Sequence, residues 1–173
     1  MRFDPDLQHR QSIRFPKMDY SRTGLYFVTI CTHDRVCLLG EIEKGDVRLT
    51  YAGRTVQSTW DDLPKHYPHV TLDAFVVMPN HVHGILGLRE LDPASAPRHP
   101  LGEVVRALKS FSARRINRRR ESPGAPVWQR NYYERIIRDE NELEGIRRYI
   151  ADNPSHWAGD PENPILHPIE RVG

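Results

Sequence analysis

The stretch Val76-Val77-Met78-Pro79-Asn80-His81-Val82-His83-Gly84-Ile85-Leu86 sets two imidazoles two positions apart inside an apolar, β-branched run. Successive side chains of a strand point to opposite faces, so His81 and His83 share one side, about 7 Å apart along the backbone, while Val82 points to the other. Sheet histidines ordinarily lie at the surface or hydrogen-bond within the sheet. Here Val82, Ile85 and Leu86 predict a buried strand, where two polar rings are costly unless bonded or ligating. Pro79-Asn80 supplies a turn just ahead of them. Two imidazoles converging from one strand can hold a divalent metal.

The remainder reads as one globular domain. The chain has 173 residues, 38% hydrophobic and 28% charged, which is long enough to bury a core. A net charge of +2 is too small to imply a partner, but its distribution is uneven. Between Val104 and Arg120 stand Arg106, Lys109, Arg114, Arg115, Arg118, Arg119 and Arg120, with no acid among them. Two cysteines, Cys31 and Cys37, imply no disulfide framework and fit a reducing cytoplasm. No run approaches the ~18 apolar residues of a membrane span, so no membrane partner is expected, and Met1 to Lys17 lack the apolar core of a signal peptide.

Residues 1–23 are polar and aperiodic, an arm expected to order only against something else. Gly24 to Cys31 reads as a buried strand. Val36 to Ile42 and Asp46 to Thr50, around Glu43-Lys44-Gly45, read as a hairpin. Ala52 to about Lys65 reads as a helix with Val56, Trp60 and Leu63 near one face. Val70 to Met78 and His81 to Leu88 give two more strands, followed by a Pro-rich loop over 89–99. Gly102 to about Arg119 is a second helix, with Val105, Leu108, Phe111 and, less regularly, Ile116 on its buried side. Val127 to Arg138 alternates as a last strand anchored by Trp128, Tyr132, Ile136 and Ile137. Asp139 as N-cap with Glu142 three residues on starts a final helix, which Pro154 stops soon after Asn153. The tail beyond reads as irregular. This order predicts an α+β, ferredoxin-like (RRM-like) sandwich, with a central antiparallel sheet, helices on one face and the histidine strand in the middle. The domain limits expected are 24–157, between the arm at 1–23 and an irregular tail at 158–173.

In the final helix Tyr149 falls at the edge of the apolar stripe Leu143, Ile146 and Ile150, with Asn153 one turn below. A tyrosine there ordinarily packs its ring and leaves its hydroxyl in water, and an asparagine before proline ordinarily ends a helix.

The chain resembles the REP-associated tyrosine transposases, a branch of the HUH single-strand nucleases, over roughly residues 20–157. Three motifs carry the resemblance: Met78-Pro79-Asn80-His81-Val82-His83-Gly84, Trp128-Gln129-Arg130-Asn131-Tyr132-Tyr133-Glu134, and Ile146-Arg147-Arg148-Tyr149-Ile150-Ala151-Asp152-Asn153-Pro154. The resemblance implies that His81 and His83 bind the metal, Mg²⁺ or Mn²⁺, and that Tyr149 is the nucleophile. Asn153 falls where relatives place a third, polar ligand, although it binds more weakly than the glutamine or acid some of them use. The YxxxK or two-tyrosine patterns of replication initiators and relaxases are missing. The implied reaction is cleavage and rejoining of single-stranded or hairpin DNA through a 5′-phosphotyrosine, by a monomer or homodimer.

Elementary chemistry agrees with that implication. A tyrosine is mostly protonated at pH 7 and needs a base, bound water or a metal's field, and a cation polarises the scissile phosphate. A basic helix face is most often simply solvated. Here the basic residues listed above, with Trp128, Arg130, Tyr132 and Tyr133, offer phosphate contacts and stacking surfaces for unpaired bases, although Trp128 equally fits a plain core position. Two other classes fit the residues: a non-catalytic single-strand binder, and a His-x-His hydrolase with a water nucleophile.

Overall fold

A computed structural model describes residues 23–90 and 99–164; the N-terminal arm, most of the 89–99 loop and the end of the tail lie outside them. In chain order the elements are β1 (Gly24–Cys31), a 3₁₀ turn (His33–Arg35), β2 (Gly40–Glu43), β3 (Asp46–Leu49), α1 (Tyr51–Asp61), α2 (Leu63–His66), β4 (Val70–Val77), β5 (His81–Leu88), α3 (Leu101–Arg119), β6 (Tyr133–Ile137), α4 (Glu140–Asp152) and a 3₁₀ helix (Asn153–Gly159). The main sheet runs β4-β5-β1-β6 with all neighbours antiparallel, and β2 and β3 form a separate hairpin. This is the ferredoxin-like order expected from the sequence, with the histidine strand β5 inside the sheet.

All eight residues of β5 are buried, because both faces of the sheet are covered. On one face Val82, Leu86 and Leu88 join Tyr26, Val28 and Ile30 of β1 in a core closed by Ala52, Val56 and Trp60 of α1 and Leu101, Val104, Val105 and Leu108 of α3. On the other, Ile85 and Phe27 pack against Leu143 and Ile150 of α4. The expected helix layer is thus α1 with α3, and α4 adds a second layer over the histidine face.

Helix α4 starts where its capping signal predicts. Asp139 accepts from the Glu142 N–H at 2.9 Å, and the Glu142 carboxylate accepts from the Arg138 N–H at 2.8 Å and pairs with Arg135. The helix is moored to β4 by Arg147, whose Nε and Nη2 donate to Asp73 Oδ1 and Oδ2 at 2.9 and 2.6 Å. That bidentate cation holds the Asp73 carboxyl below its usual pKa.

Several boundaries differ from the sequence reading. Val36 to Leu39 is not strand: Asp34 and Arg35 adopt left-handed backbone with φ of 52° and 53°, which turns the chain, and Leu39 docks by donating to the Pro79 carbonyl at 2.9 Å. The first helix breaks at Asp62, since Pro64 has no N–H with which to continue it. Phe111 is 44% exposed and stacks on His66; the buried stripe of α3 passes instead through Ser112, whose Oγ lies beneath the Trp128 indole, and Ile116. The last strand is only Tyr133–Ile137, because Trp128 meets β1's end through a single bridge at Thr32 and residues 129–132 leave the ladder. The stretch after Asn153 is a 3₁₀ helix where irregular chain was expected, and Asn163 Nδ2 ties back to the Trp157 carbonyl at 3.0 Å.

Gly84 lies where Trp60 and Phe75, stacked at 4.2 Å, cross the sheet; a Cβ there would come within 2.5 Å of the Trp60 ring. Gly84→Ala is therefore expected to destabilise the domain by about 1–3 kcal/mol through overpacking, read as a lowered urea midpoint at unchanged m-value.

Candidate active site

The alternation of β5 puts His81 and His83 on the α4 face, and the rings turn toward each other until the two Nε2 atoms are 3.1 Å apart. Both are essentially buried, at 0% and 2% exposure. His81 Nδ1 lies 2.8 Å from Asn80 Oδ1, and His83 Nδ1 lies 2.7 Å from the Thr29 hydroxyl, the residue opposite it on β1. Phe27, two residues before Thr29, stacks on the His83 ring at 5.5 Å. Burial disfavours the imidazolium form and, with Arg35 nearby, pushes His81 down to about 3. Burial, and then His81 itself, drives His83 well below its ordinary value. Both rings are therefore neutral at physiological pH, the state in which an imidazole can ligate a metal.

Helix α4 delivers the third group. The Tyr149 hydroxyl lies 3.3 Å from His83 Nε2, and its ring meets His83 and Phe27 edge-on. Burial raises the Tyr149 pKa, Asp160 and Glu162 add to the rise, and the Asn153 amide opposes it. Asn153, 4% exposed at the junction of α4 and the 3₁₀ helix, lies beside both His81 and Tyr149, and its Oδ1 is buried without a hydrogen-bond partner. The sequence-level quartet His81, His83, Tyr149 and Asn153 thus converges on one point. Among the described residues no three His, Cys, Asp or Glu side chains gather into a metal-holding cluster, so the donor set available here is two imidazoles and one amide oxygen.

The donor set suits a divalent ion: two neutral imidazole nitrogens lie 3.1 Å apart, and the buried amide oxygen beside them, with no hydrogen-bond partner, is the donor type a hard cation takes.

The remaining sequence candidates sit elsewhere. Helix α3 lies on the opposite face of the sheet from Tyr149, so Arg106, Arg114, Arg115, Arg118, Arg119 and Arg120 are exposed on the far layer. Arg119 rests over the Tyr51 ring at 5.5 Å, Arg115 reaches Thr59, and Arg120 bonds Asn117. Trp128 is a core residue, 8% exposed, with its Nε1–H donated to Ser112. Tyr132 donates to Glu134 at 2.6 Å, Tyr133 packs with the α4 layer, and Arg130 is exposed. Lys109 is turned inward, donating to the carbonyls of Gln129 and Arg130 at 2.7 and 2.9 Å, and its burial lowers its pKa.

Sequence reasoning missed Thr29, Phe27 and Trp157, whose ring lies 6.1 Å from His81. Thr29 and Phe27 become visible only once β1 is paired with β5. Asn80 was read as a turn residue, although its place beside His81 was in plain view.

No described helix is long and apolar enough to cross a membrane. The family model "Transposase IS200 like" matches residues 54–153. An uncharacterized protein of Haemophilus influenzae is 35% identical over 92% of this chain and 96% of its own length. A second protein of that organism, named as a candidate REP-associated tyrosine transposase, is 30% identical over 80% of this chain and 74% of its own. A solved structure of a REP-associated tyrosine transposase bound to a REP hairpin superposes with a TM-score of 0.57 at 22% identity, over 76% of this chain and 66% of that one.

Lys109→Met is expected to lower stability by about 1 kcal/mol, since the Gln129 and Arg130 carbonyls lose a charged donor. It should leave the salt dependence of any DNA binding unchanged, a pairing that thermal melts and a salt titration together check.

Proposed function

Since the chain belongs to the IS200-like transposases, in their REP-associated tyrosine branch, and so is a DNA transposase, we propose that it cleaves and rejoins single-stranded or hairpin DNA through Tyr149. The observation that carries this reading is the convergence of a phenol, two neutral imidazole nitrogens and an unpaired amide oxygen: Tyr149 Oη is 3.3 Å from His83 Nε2, which is 3.1 Å from His81 Nε2. The phenol oxygen attacks the scissile phosphorus, forming a tyrosyl ester to the 5′ phosphate as the bond to the 3′ oxygen breaks. The phenol proton ends, in net balance, on the released 3′-hydroxyl, so no water is consumed. One ester replaces another, and a different 3′-hydroxyl can run the step backwards to join strands.

His81, His83 and Asn153 would hold a divalent ion, Mg²⁺ or Mn²⁺, whose chemistry is polarisation of the phosphate and stabilisation of its transition-state charge. Two imidazoles in the set favour the softer Mn²⁺. The burial that raises the Tyr149 pKa keeps the phenol protonated at rest, so its activation belongs to the substrate-bound state. His81, His83, Tyr149 and Asn153 all converge within one chain, so a monomer would carry all four.

The exposed arginines of α3 serve the phosphates of a structured stem, in keeping with the REP hairpin held by the similar solved protein. Of the remaining candidates, half-buried Tyr133 packs on the Tyr149 side of the sheet and could stack a base there, whereas Tyr132 packs against the α1–α3 core and exposed Arg130 lies just before it in the chain. A non-catalytic binder would make no covalent product, and a hydrolase with a water nucleophile would not need Tyr149.

Two measurements test this. Tyr149→Phe should abolish the covalent protein–DNA adduct formed with a labelled hairpin and Mn²⁺, while stability and DNA affinity stay within about 0.5 kcal/mol of wild type; an adduct surviving the substitution would falsify the assignment. Neutralising Arg114, Arg115, Arg118 and Arg119 should flatten the plot of log affinity against log salt by about 0.7–0.9 per lost phosphate contact. An unchanged slope would assign that face to solvent.

A further inference from the structure

We propose that Asn80 and Thr29 set the protons on the two histidines: Asn80 locks His81 in one tautomer, and Thr29 lets His83 change its own when a divalent cation enters. The second half rests on the metal reading above.

The Asn80 amide has no freedom to flip. Its Nδ2 is 3.1 Å from the Arg35 carbonyl and 2.7 Å from the Glu162 carbonyl, and carbonyl oxygens only accept. The amide nitrogen must therefore face them, which leaves Oδ1 toward His81 Nδ1 at 2.8 Å. Oδ1 also only accepts, so His81 Nδ1 carries the hydrogen and, in the neutral ring, Nε2 carries a lone pair aimed at the centre of the site. Both carbonyls are fixed independently. Arg35 stands in the left-handed turn, and its Nη1 reaches the Glu162 carboxylate at 2.9 Å, clamping the two carbonyl-bearing segments together. The Asn80 carbonyl is itself held by the Thr32 N–H at 2.8 Å and the Thr32 hydroxyl at 3.0 Å. A 1% exposed asparagine with this many fixed partners acts as a rigid template for one imidazole.

His83 is held differently. Its Nε2 faces the His81 lone pair at 3.1 Å and the Tyr149 hydroxyl at a longer 3.3 Å. A bare Nε2 would set two lone pairs against each other at the shorter contact, so without a cation the hydrogen of His83 sits on Nε2 and bridges the rings, with the Tyr149 oxygen as a second acceptor. Nδ1 then accepts from the Thr29 hydroxyl at 2.7 Å. A cation between the rings requires a lone pair on His83 Nε2 as well. The Nε2 proton leaves to water, Nδ1 gains one from water, and the charge of the ring is unchanged. The Thr29 hydroxyl can turn from donor to acceptor for the new Nδ1–H because a hydroxyl does both. An amide oxygen in its place could not. The difference between an amide beside His81 and a hydroxyl beside His83 thus matches one ring whose proton never moves and one whose proton must.

The test uses the full-length chain labelled with ¹⁵N. Long-range ¹H–¹⁵N spectra without metal should show His81 protonated on Nδ1 and His83 on Nε2, and saturating Mg²⁺ should move only the His83 proton to Nδ1. Thr29→Val should weaken Mn²⁺ binding, read by electron paramagnetic resonance titration, by about 10- to 100-fold, with Thr29→Ser restoring it. Asn80→Ala should leave His81 as a mixture of tautomers; if that variant does not fold, the wild-type spectra and the threonine pair still decide. A free protein with His81 protonated on Nε2, or Thr29→Val binding Mn²⁺ as wild type does, overturns the proposal. A wild type that shows the stated metal-free tautomers but binds no Mn²⁺ sinks the metal reading while supporting the role of Asn80.

Discussion

A strand covered on both sides has no surface on which to put polar side chains, and β5 is such a strand from end to end. Its residues must divide between an apolar core under α1 and α3 and a mixed layer under α4, and the pleat makes that division strictly alternate. The two histidines fall on the α4 side with the odd-numbered residues, so the chain has to supply hydrogen-bond partners for four ring nitrogens in the interior. Thr29, Asn80 and the facing nitrogens themselves meet that demand. The glycine following the pair answers the other face, where Trp60 and Phe75 leave no room for a side chain.

The bases of legibility differ from element to element. Strand β5, the start of α4 and the order of the main sheet were readable because each rests on local rules: alternation, a capping aspartate, the succession of element types. Tyr149 and Asn153 came from helical spacing together with family likeness. What was not readable depends on who lies across the sheet. Thr29 carries no mark in β1 that separates it from an ordinary buried threonine, and its meaning appears only in register with His83. Phe111 looked like core by spacing, but the Trp128 indole needed an acceptor, and Ser112 holds the inward position beneath it. Lys109 looked like one more cation of a basic face until the carbonyls of a strandless stretch turned it inward.

The same division explains why the charges of this protein are less crowded than the sequence implies. The arginines of α3 are spread over a layer of their own, where Tyr51, Thr59 and Asn117 steady three of them. On the α4 layer the conspicuous cation is Arg147, and it is spent on Asp73 and its helix neighbours Glu140 and Glu144. The cluster is consequently lined mostly by neutral groups, with Arg35 near enough to bear on His81 and the carboxylates of Asp160 and Glu162 near enough to be felt by the phenol.

Because α3 and the Tyr149 cluster occupy opposite sides of one sheet, no single phosphate can touch both. Nucleic acid engaging the two must pass around a sheet edge, and the path is set by the thickness of a helix layer and the sheet beneath it, on the order of 20 Å. On the proposed function, the body of the protein would then act as a ruler, setting the distance between a duplex held at α3 and a strand opened at Tyr149.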